Sequence, residues 1–210
     1  MENPVIILGA QAVGTAALDA FLSNDLIVYC LLDDDPKRQN SELLDVPVMG
    51  NTDDDELLKL LGKKCEVFVA TDDVASRRSL TKMLRDEYEA VPVNAIHQRA
   101  SVSVHASLGH GIYVGANAVV AATATLGDGC LLGPNAVVEA RATLADFVQL
   151  GAGALVGTEA KVGEQAFLGA GSVVVAGVSI GAKARVGAGS VVVADVPAGQ
   201  TVFGNPAKQV

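Results

Sequence analysis

A glycine-containing loop near the N-terminus directly follows an apolar run that predicts a β-strand. The loop, residues 9–14, reads Gly-Ala-Gln-Ala-Val-Gly, a degraded form of the glycine-rich fingerprint in which Gln11 replaces the second glycine. A complete fingerprint lets the backbone approach a pyrophosphate at a helix N-terminus. The sequence therefore disfavours a dinucleotide site, and it leaves open either a tight strand-to-helix turn or a loop that contacts a ligand.

Two adjacent carboxylates, Asp33 and Asp34, follow the second predicted strand. Acidic residues at this position of an α/β fold hold a ribose or the edge of a base. The alternative is a solvated acidic turn that continues into Asp35 and Pro36. Both interpretations remain open from the residues alone.

The three cysteines, Cys30, Cys65 and Cys130, are widely spaced in apolar or strand-like contexts. An odd number in such surroundings is typical of buried thiols in a reducing compartment. No spacing typical of metal ligands is present, so we predict no metal site. The N-terminus has no basic region and no apolar run reaches the roughly 18 residues of a spanning helix, so we expect a cytoplasmic protein without a membrane segment.

The formal net charge of −9 argues against nucleic acid or an anionic membrane as a main partner. Binding to phosphates requires a basic footprint, which the chain lacks. The charge is typical of a soluble protein.

Residues 1–93 alternate short apolar runs with segments of helical periodicity. The pattern predicts strands at 5–8, 26–32 and 67–70, and helices at 12–22, 53–61 and 75–87. Such alternation is typical of a parallel α/β sheet. We therefore predict a small α/β domain over 1–93.

Residues 94–210 repeat with a period of six. Every sixth residue from Ile96 to Val192 is aliphatic, which makes seventeen hexads in phase, and the next residue is most often glycine. A strand has a period of two and a helix 3.6, so neither fits. Hexads describe a triangular coil in which three hexads close one turn with the aliphatic residues inside. The sequence predicts a parallel β-helix of five to six coils.

The whole chain resembles the hexapeptide-repeat acyltransferases, and among them the bacterial nucleotide-sugar acetyltransferases of the sialic acid O-acetyltransferase-like group. The landmarks are short segments at 7–10 (Ile-Leu-Gly-Ala), 32–35 (Leu-Asp-Asp-Asp), 46–50 (Val-Pro-Val-Met-Gly), 96–97 (Ile-His) and 204–208 (Gly-Asn-Pro-Ala-Lys). The resemblance implies a Rossmann-like N-terminal domain that binds a nucleotide sugar, followed by a left-handed β-helix.

The resemblance also implies a homotrimer with acetyl-CoA as co-substrate and active sites between neighbouring β-helices. The amino sugar, linked to a nucleotide, is held by the N-terminal domain, where Asp33 and Asp34 contact the nucleotide and Gln11 lies in the adjoining loop. Backbone contacts to CoA fall at Ala170 and Ala188. Thr158 replaces a glycine whose N–H faces the thioester carbonyl in relatives, and an N–H there can stabilise an oxyanion.

The catalytic position departs from the family. Relatives carry a histidine as general base where this chain has Ala140, an acidic neighbour where it has Arg141, and a second histidine where it has Gln149. Alanine cannot accept a proton, so the neighbouring Glu139 becomes the candidate base.

The three histidines present, His97, His105 and His110, are interpreted as surface or structural residues. His97 is expected at the mouth of the β-helix, and the other two about two coils from the family site.

Two functions follow from this sequence. The first is transfer of acetyl from acetyl-CoA to the amine of a nucleotide-linked amino sugar, with the sugar and nucleotide unspecified. The second is a non-catalytic trimeric scaffold that retains ligand binding, which the missing histidine at Ala140 favours.

Overall fold

The computed structural model describes residues 3–210 as two compact units, one ending at Gln98 and the other comprising Arg99–Val210. The boundary lies five residues beyond the predicted one. Residues 94–98 stay with the first unit because the Asn24 side-chain amide donates to the Ile96 carbonyl at 2.8 Å. Ile96 is therefore tied to the end of the first helix, although it is in phase with the hexads.

The first unit is an α/β fold, as predicted. Its elements in chain order are β1 (Val5–Leu8), α1 (Ala12–Leu22), β2 (Val28–Leu32), β3 (Glu42–Leu43), β4 (Val46–Gly50), α2 (Asp55–Leu58), β5 (Glu66–Val69), α3 (Val74–Tyr88) and β6 (Ala95–Ile96). The five-stranded sheet has the order β3-β4-β2-β1-β5, and only β3 runs antiparallel to its neighbour. The β3–β4 hairpin was not predicted, and α2 is shorter than the predicted helix.

The interior strand β1 is fully buried, because β2 and β5 flank it and helices cover the sheet. A parallel strand buried on both faces carries a continuous apolar run rather than an alternating one. Because β1 runs parallel to β2 and to β5, the carboxyl ends of the three strands lie at one edge of the sheet.

The second unit is a parallel β-helix with three faces. We call the first the valine face: β7 (Ser101–Val102), β10 (Val119–Val120), β13 (Val137–Val138), β16 (Leu155–Val156), β19 (Val173–Val174) and β22 (Val191–Val192). The second, the threonine face, contains β8 (Ser107–Leu108), β11 (Thr125–Leu126), β14 (Thr143–Leu144), β17 (Lys161–Val162) and β20 (Ser179–Ile180). The third, the aromatic face, contains β9 (Tyr113–Val114), β12 (Leu131–Leu132), β15 (Gln149–Leu150), β18 (Phe167–Leu168), β21 (Arg185–Val186), β23 (Thr201–Gly204) and β24 (Ala207–Gln209).

Each coil of the β-helix takes eighteen residues. Val120 pairs with Val138, Val138 with Val156 and Val156 with Val174, always in parallel register. These inward residues are almost completely buried, as are the alanines Ala118, Ala136 and Ala154 at the corner. The predicted period of six and three hexads per coil are confirmed.

Four-residue corners join the faces and stack from coil to coil. The Glu139 corner joins the valine and threonine faces and comprises residues 103–106, 121–124, 139–142, 157–160 and 175–178. The Ala170 corner joins the aromatic and valine faces through 115–118, 133–136, 151–154, 169–172 and 187–190. The Asp146 corner joins the remaining two faces through 109–112, 127–130, 145–148, 163–166 and 181–184.

Many corners begin with a glycine. A side chain there would collide with the backbone of the next coil, whereas the backbone angles at this position do not require glycine. A Cβ on Gly163 would lie 2.5 Å from the Ala182 nitrogen. The left-handed conformation instead occurs at the third corner residue, where Gly177 has φ +75 and open space around it. Non-glycine residues such as Arg141 and Lys183 also occupy this third position.

All three cysteines are buried and free, in agreement with the sequence-based expectation. Burial raises the pKa of the Cys30 thiol to about 12, and the charge of the nearby Cys65 adds to this effect. A thiol with this pKa is almost entirely protonated at neutral pH, and it is a poor nucleophile. Among the described residues, 3–210, no helix is both long and apolar enough to span a membrane.

Two glycine substitutions distinguish the energetic effect of a collision between coils from that of backbone strain. We expect Gly163→Ala to lower the free energy of unfolding of the β-helix by about 3 kcal/mol, because the methyl group collides with backbone that cannot rotate away. Gly177→Ala should cost only about 1 kcal/mol, the strain of a left-handed alanine. Denaturant unfolding followed by circular dichroism measures both values. Equal losses would contradict the assigned roles.

Candidate functional site

A cleft of about 480 Å³ lies at the edge of the sheet where β1, β2 and β5 end. It brings together the three predicted substrate-binding residues Gln11, Asp33 and Asp34. Parallel strands of an open α/β sheet place their carboxyl ends at one edge, and ligands bind there. The cleft can enclose a small molecule on several sides.

Asp33 is buried and both of its carboxylate oxygens are engaged by the protein. Oδ2 accepts the Ala10 N–H at 2.8 Å, and Oδ1 accepts the Asp35 N–H at 2.9 Å. These bonds tie the loop after β1 to the loop after β2. Asp33 therefore shapes the cleft wall, and the backbone amides satisfy its charge.

The Asp34 carboxylate is held by one residue across the cleft. Its Oδ1 accepts the Thr52 N–H at 2.8 Å, and the Thr52 hydroxyl lies 2.9 and 3.0 Å from the two oxygens. Thr52 is buried and follows β4, whereas Asp34 is exposed at the cleft. The orientation of Asp34 is thus fixed while a large part of it remains accessible to a ligand.

The N-terminus of α1 is capped by an aspartate from another strand end. Gln11 is the N-cap residue, and its side chain makes no capping hydrogen bond. The Asp72 Oδ1 accepts the Val13 N–H at 2.9 Å instead. A carboxylate at this position opposes a phosphate group there, because both are anions that compete for the same N–H groups.

The glycines of the predicted loop serve packing within the protein. A Cβ on Gly9 would lie 2.7 Å from the Ala70 carbonyl oxygen, and a Cβ on Gly14 would lie 2.1 Å from the Gly9 oxygen. The strand, the turn and the helix approach one another too closely for a side chain. The loop is a tight turn, and its residues Gly9 and Gln11 also line the cleft.

Five aspartates line the cleft, and no lysine or arginine is among its described lining residues: Asp33, Asp34, Asp35, Asp72 and Asp73. Two arginines lie beside it. Arg38 has Nη1 3.2 Å from the Ala10 carbonyl and Nε 3.6 Å from Asp35 Oδ2, and the buried Arg77 donates to the Thr71 carbonyl at 2.7 Å. A cleft of this charge suits groups that donate hydrogen bonds. An anionic group is best placed near Arg38.

Asp72 and Thr52 are cleft residues that the sequence-based prediction did not name. Asp72 and Asp73 follow β5 as Asp33 and Asp34 follow β2. Acidic residues after a parallel strand predict a ligand-binding edge at both places, so the sequence already indicated Asp72 and Asp73 as cleft residues. The contribution of Thr52 depends on the position of β4, which no local motif indicated.

In the second unit, Glu139 and Thr158 are hydrogen-bonded to each other across successive coils. Glu139 Oε2 accepts both the Thr158 N–H and the Thr158 hydroxyl, each at 2.8 Å. The N–H that was predicted to face a thioester is therefore engaged by the carboxylate that was predicted to act as a base. The two residues form one unit at the Glu139 corner.

Beside this pair, Arg141 Nη2 lies 2.7 Å from Glu159 Oε1, and both side chains are more than half exposed. Ala140 lies between Glu139 and Arg141 at the same corner and is only partly buried. A methyl group leaves space where a larger side chain would project. Gln149 lies in β15 on the aromatic face, away from this corner.

The predicted CoA contacts, Ala170 and Ala188, lie at the Ala170 corner on successive coils. Both are exposed, and within residues 3–210 neither backbone N–H donates a hydrogen bond. The neighbouring residues Gly171 and Gly189 donate theirs to the preceding coil. The corner thus presents a column of available amides along the outside of the prism.

The two sets of predicted residues lie at different corners of the prism. The valine face separates the Glu139 corner from the Ala170 corner. Its outward residue in β7, Ser101, is polar and exposed, and those of the other five strands are aliphatic and only partly buried: Val119, Val137, Leu155, Val173 and Val191. A single chain therefore does not bring the predicted base and the predicted CoA contacts together.

In the part of the chain that the structure describes, none of the three histidines is hydrogen-bonded to the Glu139–Thr158 pair. His97 belongs to the first unit, where it is buried with Nε2 3.4 Å from Asp19 Oδ2. His105 and His110 are exposed in the first coil, and the carbonyl of His105 accepts the Thr123 N–H. Among residues 3–210, no group of three or more His, Cys, Asp or Glu side chains is arranged to hold a metal ion.

Comparison with known proteins identifies relatives over the whole chain. The model of the hexapeptide repeat of succinyl-transferase matches residues 159–194. The chain is similar to GDP-perosamine N-acetyltransferase from Caulobacter crescentus, with 35% identity, a TM-score of 0.91 and coverage of 100% of this chain and 98% of that one. That structure is a variant with one histidine replaced by alanine, in complex with CoA and GDP-perosamine.

The acetyltransferase domain of PglB from Neisseria gonorrhoeae, in complex with acetyl coenzyme A, is also similar. It has 30% identity, a TM-score of 0.92 and complete coverage of both chains. WeeI from Acinetobacter baumannii shares the fold at 17% identity, with a TM-score of 0.64 and complete coverage of both chains. Comparison with curated protein sequences gives no match.

Removal of two aspartates from the cleft should have unequal consequences for stability. Asp33→Ala leaves two backbone N–H groups without acceptors, one of them buried, and should lower the free energy of unfolding by about 3 kcal/mol. Asp72→Ala removes one exposed helix cap and should cost about 1 kcal/mol. Circular dichroism at 222 nm reports on the first unit, which contains all the helices that the structure describes. A smaller loss for Asp33→Ala than for Asp72→Ala would argue against a structural role of Asp33.

Proposed function

This chain belongs to the hexapeptide-repeat nucleotide-sugar acetyltransferases, the left-handed parallel β-helix enzymes, and from that membership we propose that it acetylates the amine of a nucleotide-linked amino sugar with acetyl-CoA. The observation that carries the proposal is the full-length match to two acetyltransferase structures, one with CoA and GDP-perosamine and one with acetyl coenzyme A. Both matches cover the whole chain, so they include the first unit with its cleft and the β-helix.

The nucleotide sugar is assigned to the cleft of the first unit. Asp34 and Gln11 are available there to contact the nucleotide, and Asp33 holds the wall that carries them. Base and ribose groups that donate hydrogen bonds fit the carboxylates. The diphosphate lies towards Arg38, because the N-terminus of α1 is already capped by Asp72.

Acetyl-CoA is assigned to the Ala170 corner. Ala170 and Ala188 are exposed on successive coils and their N–H groups have no acceptor among residues 3–210, so we expect the amide carbonyls of an extended pantetheine arm to bind there. Backbone donors depend little on side-chain identity. This explains how such a groove persists while catalytic side chains change.

A homotrimer brings the two corners together. Association through the valine face buries its aliphatic stripe and places the Glu139 corner of one copy beside the Ala170 corner of the next. Closed symmetric assemblies are the usual outcome of such contacts. Each active site is then shared by two chains, and the reaction is assigned to the cytoplasm, where the three thiols remain reduced.

The chemistry requires a proton acceptor, and Glu139 is the carboxylate at the right corner. The amine nitrogen forms a bond to the thioester carbon, the carbon–sulfur bond breaks, and one proton passes from nitrogen through the base to the departing thiolate. The alternative function is a non-catalytic trimer that binds the same ligands, and Ala140 is the residue that favours it. In the Caulobacter relative, the complex shows that one histidine can be replaced by alanine while both ligands remain bound.

An acceptor panel decides between the two functions. Purified protein with acetyl-CoA should release CoA only when an amino sugar linked to a nucleoside diphosphate is added, and free amino sugars should fail. A thiol reagent measures the release, and mass spectrometry should show the acceptor heavier by one acetyl group. Calorimetric binding of CoA without turnover of any acceptor would support the scaffold instead.

Mixing of two blocked variants tests the shared site. Ala140→Trp blocks the Glu139 corner, and Ala170→Trp blocks the CoA groove, so each variant alone should be inactive. Mixed trimers contain sites in which both corners are unblocked, and activity should return after co-refolding. Leu155→Arg on the valine face should yield monomers by light scattering, whereas Thr125→Arg on the polar threonine face should not. Absence of activity in stable mixed trimers would place the site within one chain.

A further inference from the structure

Glu139 and Thr158 form a doubly hydrogen-bonded contact between successive coils at the Glu139 corner. The carboxylate oxygen Oε2 receives both donors of Thr158, its N–H and its hydroxyl, at 2.8 Å each. Thr158 occupies the corner position of Ala140 in the next coil, since their numbers differ by eighteen. The pair is therefore directly adjacent to Ala140, the position at which the family resemblance implies a histidine.

We infer that Thr158 is a positioning residue that orients the Glu139 carboxylate for proton transfer, so that this pair replaces the histidine absent at Ala140. The inference rests on the proposed function and goes beyond it. It also changes the expected role of Thr158. Its N–H is engaged by a carboxylate, so it is not the donor that stabilises the thioester oxyanion.

The hydrogen bonds fix one oxygen and leave the other available. Within the described residues, Oε1 of Glu139 accepts no hydrogen bond, while Oε2 has two donors. Two donors on one oxygen restrict rotation of the carboxylate, as the second partner of a catalytic base does in hydrolytic triads. Oε1 is thus a proton acceptor in a defined place.

The negative charge of Glu139 is not paired with the positive charge of Arg141, two residues further along the chain. Arg141 is the nearest cation in sequence, and its guanidinium pairs with Glu159 at 2.7 Å. Arg141 therefore forms its ion pair with Glu159 of the next coil and not with Glu139. A carboxylate without an ion-pair partner is free to take up a proton during the reaction.

A carboxylate is sufficient as the base because of the timing of proton transfer. The neutral amine attacks the acetyl carbon, and the new carbon–nitrogen bond leaves a positive charge on nitrogen. That nitrogen is much more acidic than the free ammonium group, so Oε1 can remove its proton. The carbon–sulfur bond then breaks, and the proton passes from Glu139 to the CoA thiolate, which restores the carboxylate.

The β-helix contains a structural counterpart that serves as a control. At the Asp146 corner, Asp146 Oδ1 accepts the Asp128 N–H at 2.9 Å, and Asp128 Oδ1 accepts the His110 N–H at 2.9 Å. These carboxylates also cap corner amides between coils. Neither of these two caps includes a hydroxyl donor, and this corner is separate from Glu139 and Ala170.

Steady-state kinetics of the full-length trimer test the inference. Glu139→Gln should lower kcat about 100-fold with little change in KM, the usual loss of a general base. Thr158→Val, which removes the hydroxyl but keeps the shape, should lower kcat about 10-fold through misplacement of the carboxylate. Thr158→Ser should retain kcat within about 2-fold, because the hydroxyl is restored. Asp146→Asn should lower the melting temperature and leave kcat unchanged.

The double variant distinguishes positioning from an independent role. If Thr158 acts through Glu139, Glu139→Gln with Thr158→Val should be no slower than Glu139→Gln alone. Additive losses, or a Thr158→Val variant that changes only the melting temperature as Asp146→Asn does, would overturn the inference while the wild type remains active. A wild type that turns over no acceptor would instead overturn the proposed function, and this inference with it.

Discussion

The stacking of one coil on the next at eighteen-residue spacing is the constraint on which the second unit depends. Parallel strands of two residues are too short to be stable alone, and they persist because each pairs with strands above and below. The corners must then approach as closely as the strands do. Where a corner residue would collide with the next backbone, as at Gly163, only glycine fits. The third residue of a corner projects outward, and several types of side chain occur there.

This stacking also explains how scaffold and chemistry can separate. Residues at one corner position form a column with neighbours about 4.8 Å apart, the spacing of paired strands. A change at an outward position, such as Ala140, alters the chemistry of the column without disturbing the ladder inside. Conversely, a new contact such as that between Glu139 and Thr158 forms across coils at no cost to the backbone bonds. The outside of the prism can therefore change its catalytic groups while the fold persists.

In the first unit, most of the acidic residues at the cleft have structural partners. Asp33 joins two loops, Asp34 is held by Thr52, and Asp72 caps α1. Backbone N–H donors stabilise ionised carboxylates, and Arg38 adds an ion pair with Asp35, which together account for five aspartates around one cleft. The same bonds build the walls of the cleft.

The sequence by itself determined the two-part architecture, the coil length and the strand ends that carry the acidic pairs. These features are periodic or local, and burial of aliphatic residues every six positions permits one geometry. Tertiary structure alone decided that Glu139 reaches Thr158, that Arg141 turns to Glu159, and that Ile96 and His97 stay with the first unit. It also decided that Glu139 and Ala170 lie at different corners. Such contacts join residues eighteen to seventy-eight positions apart or depend on which way a corner faces, and hydrophobic periodicity carries no information about either.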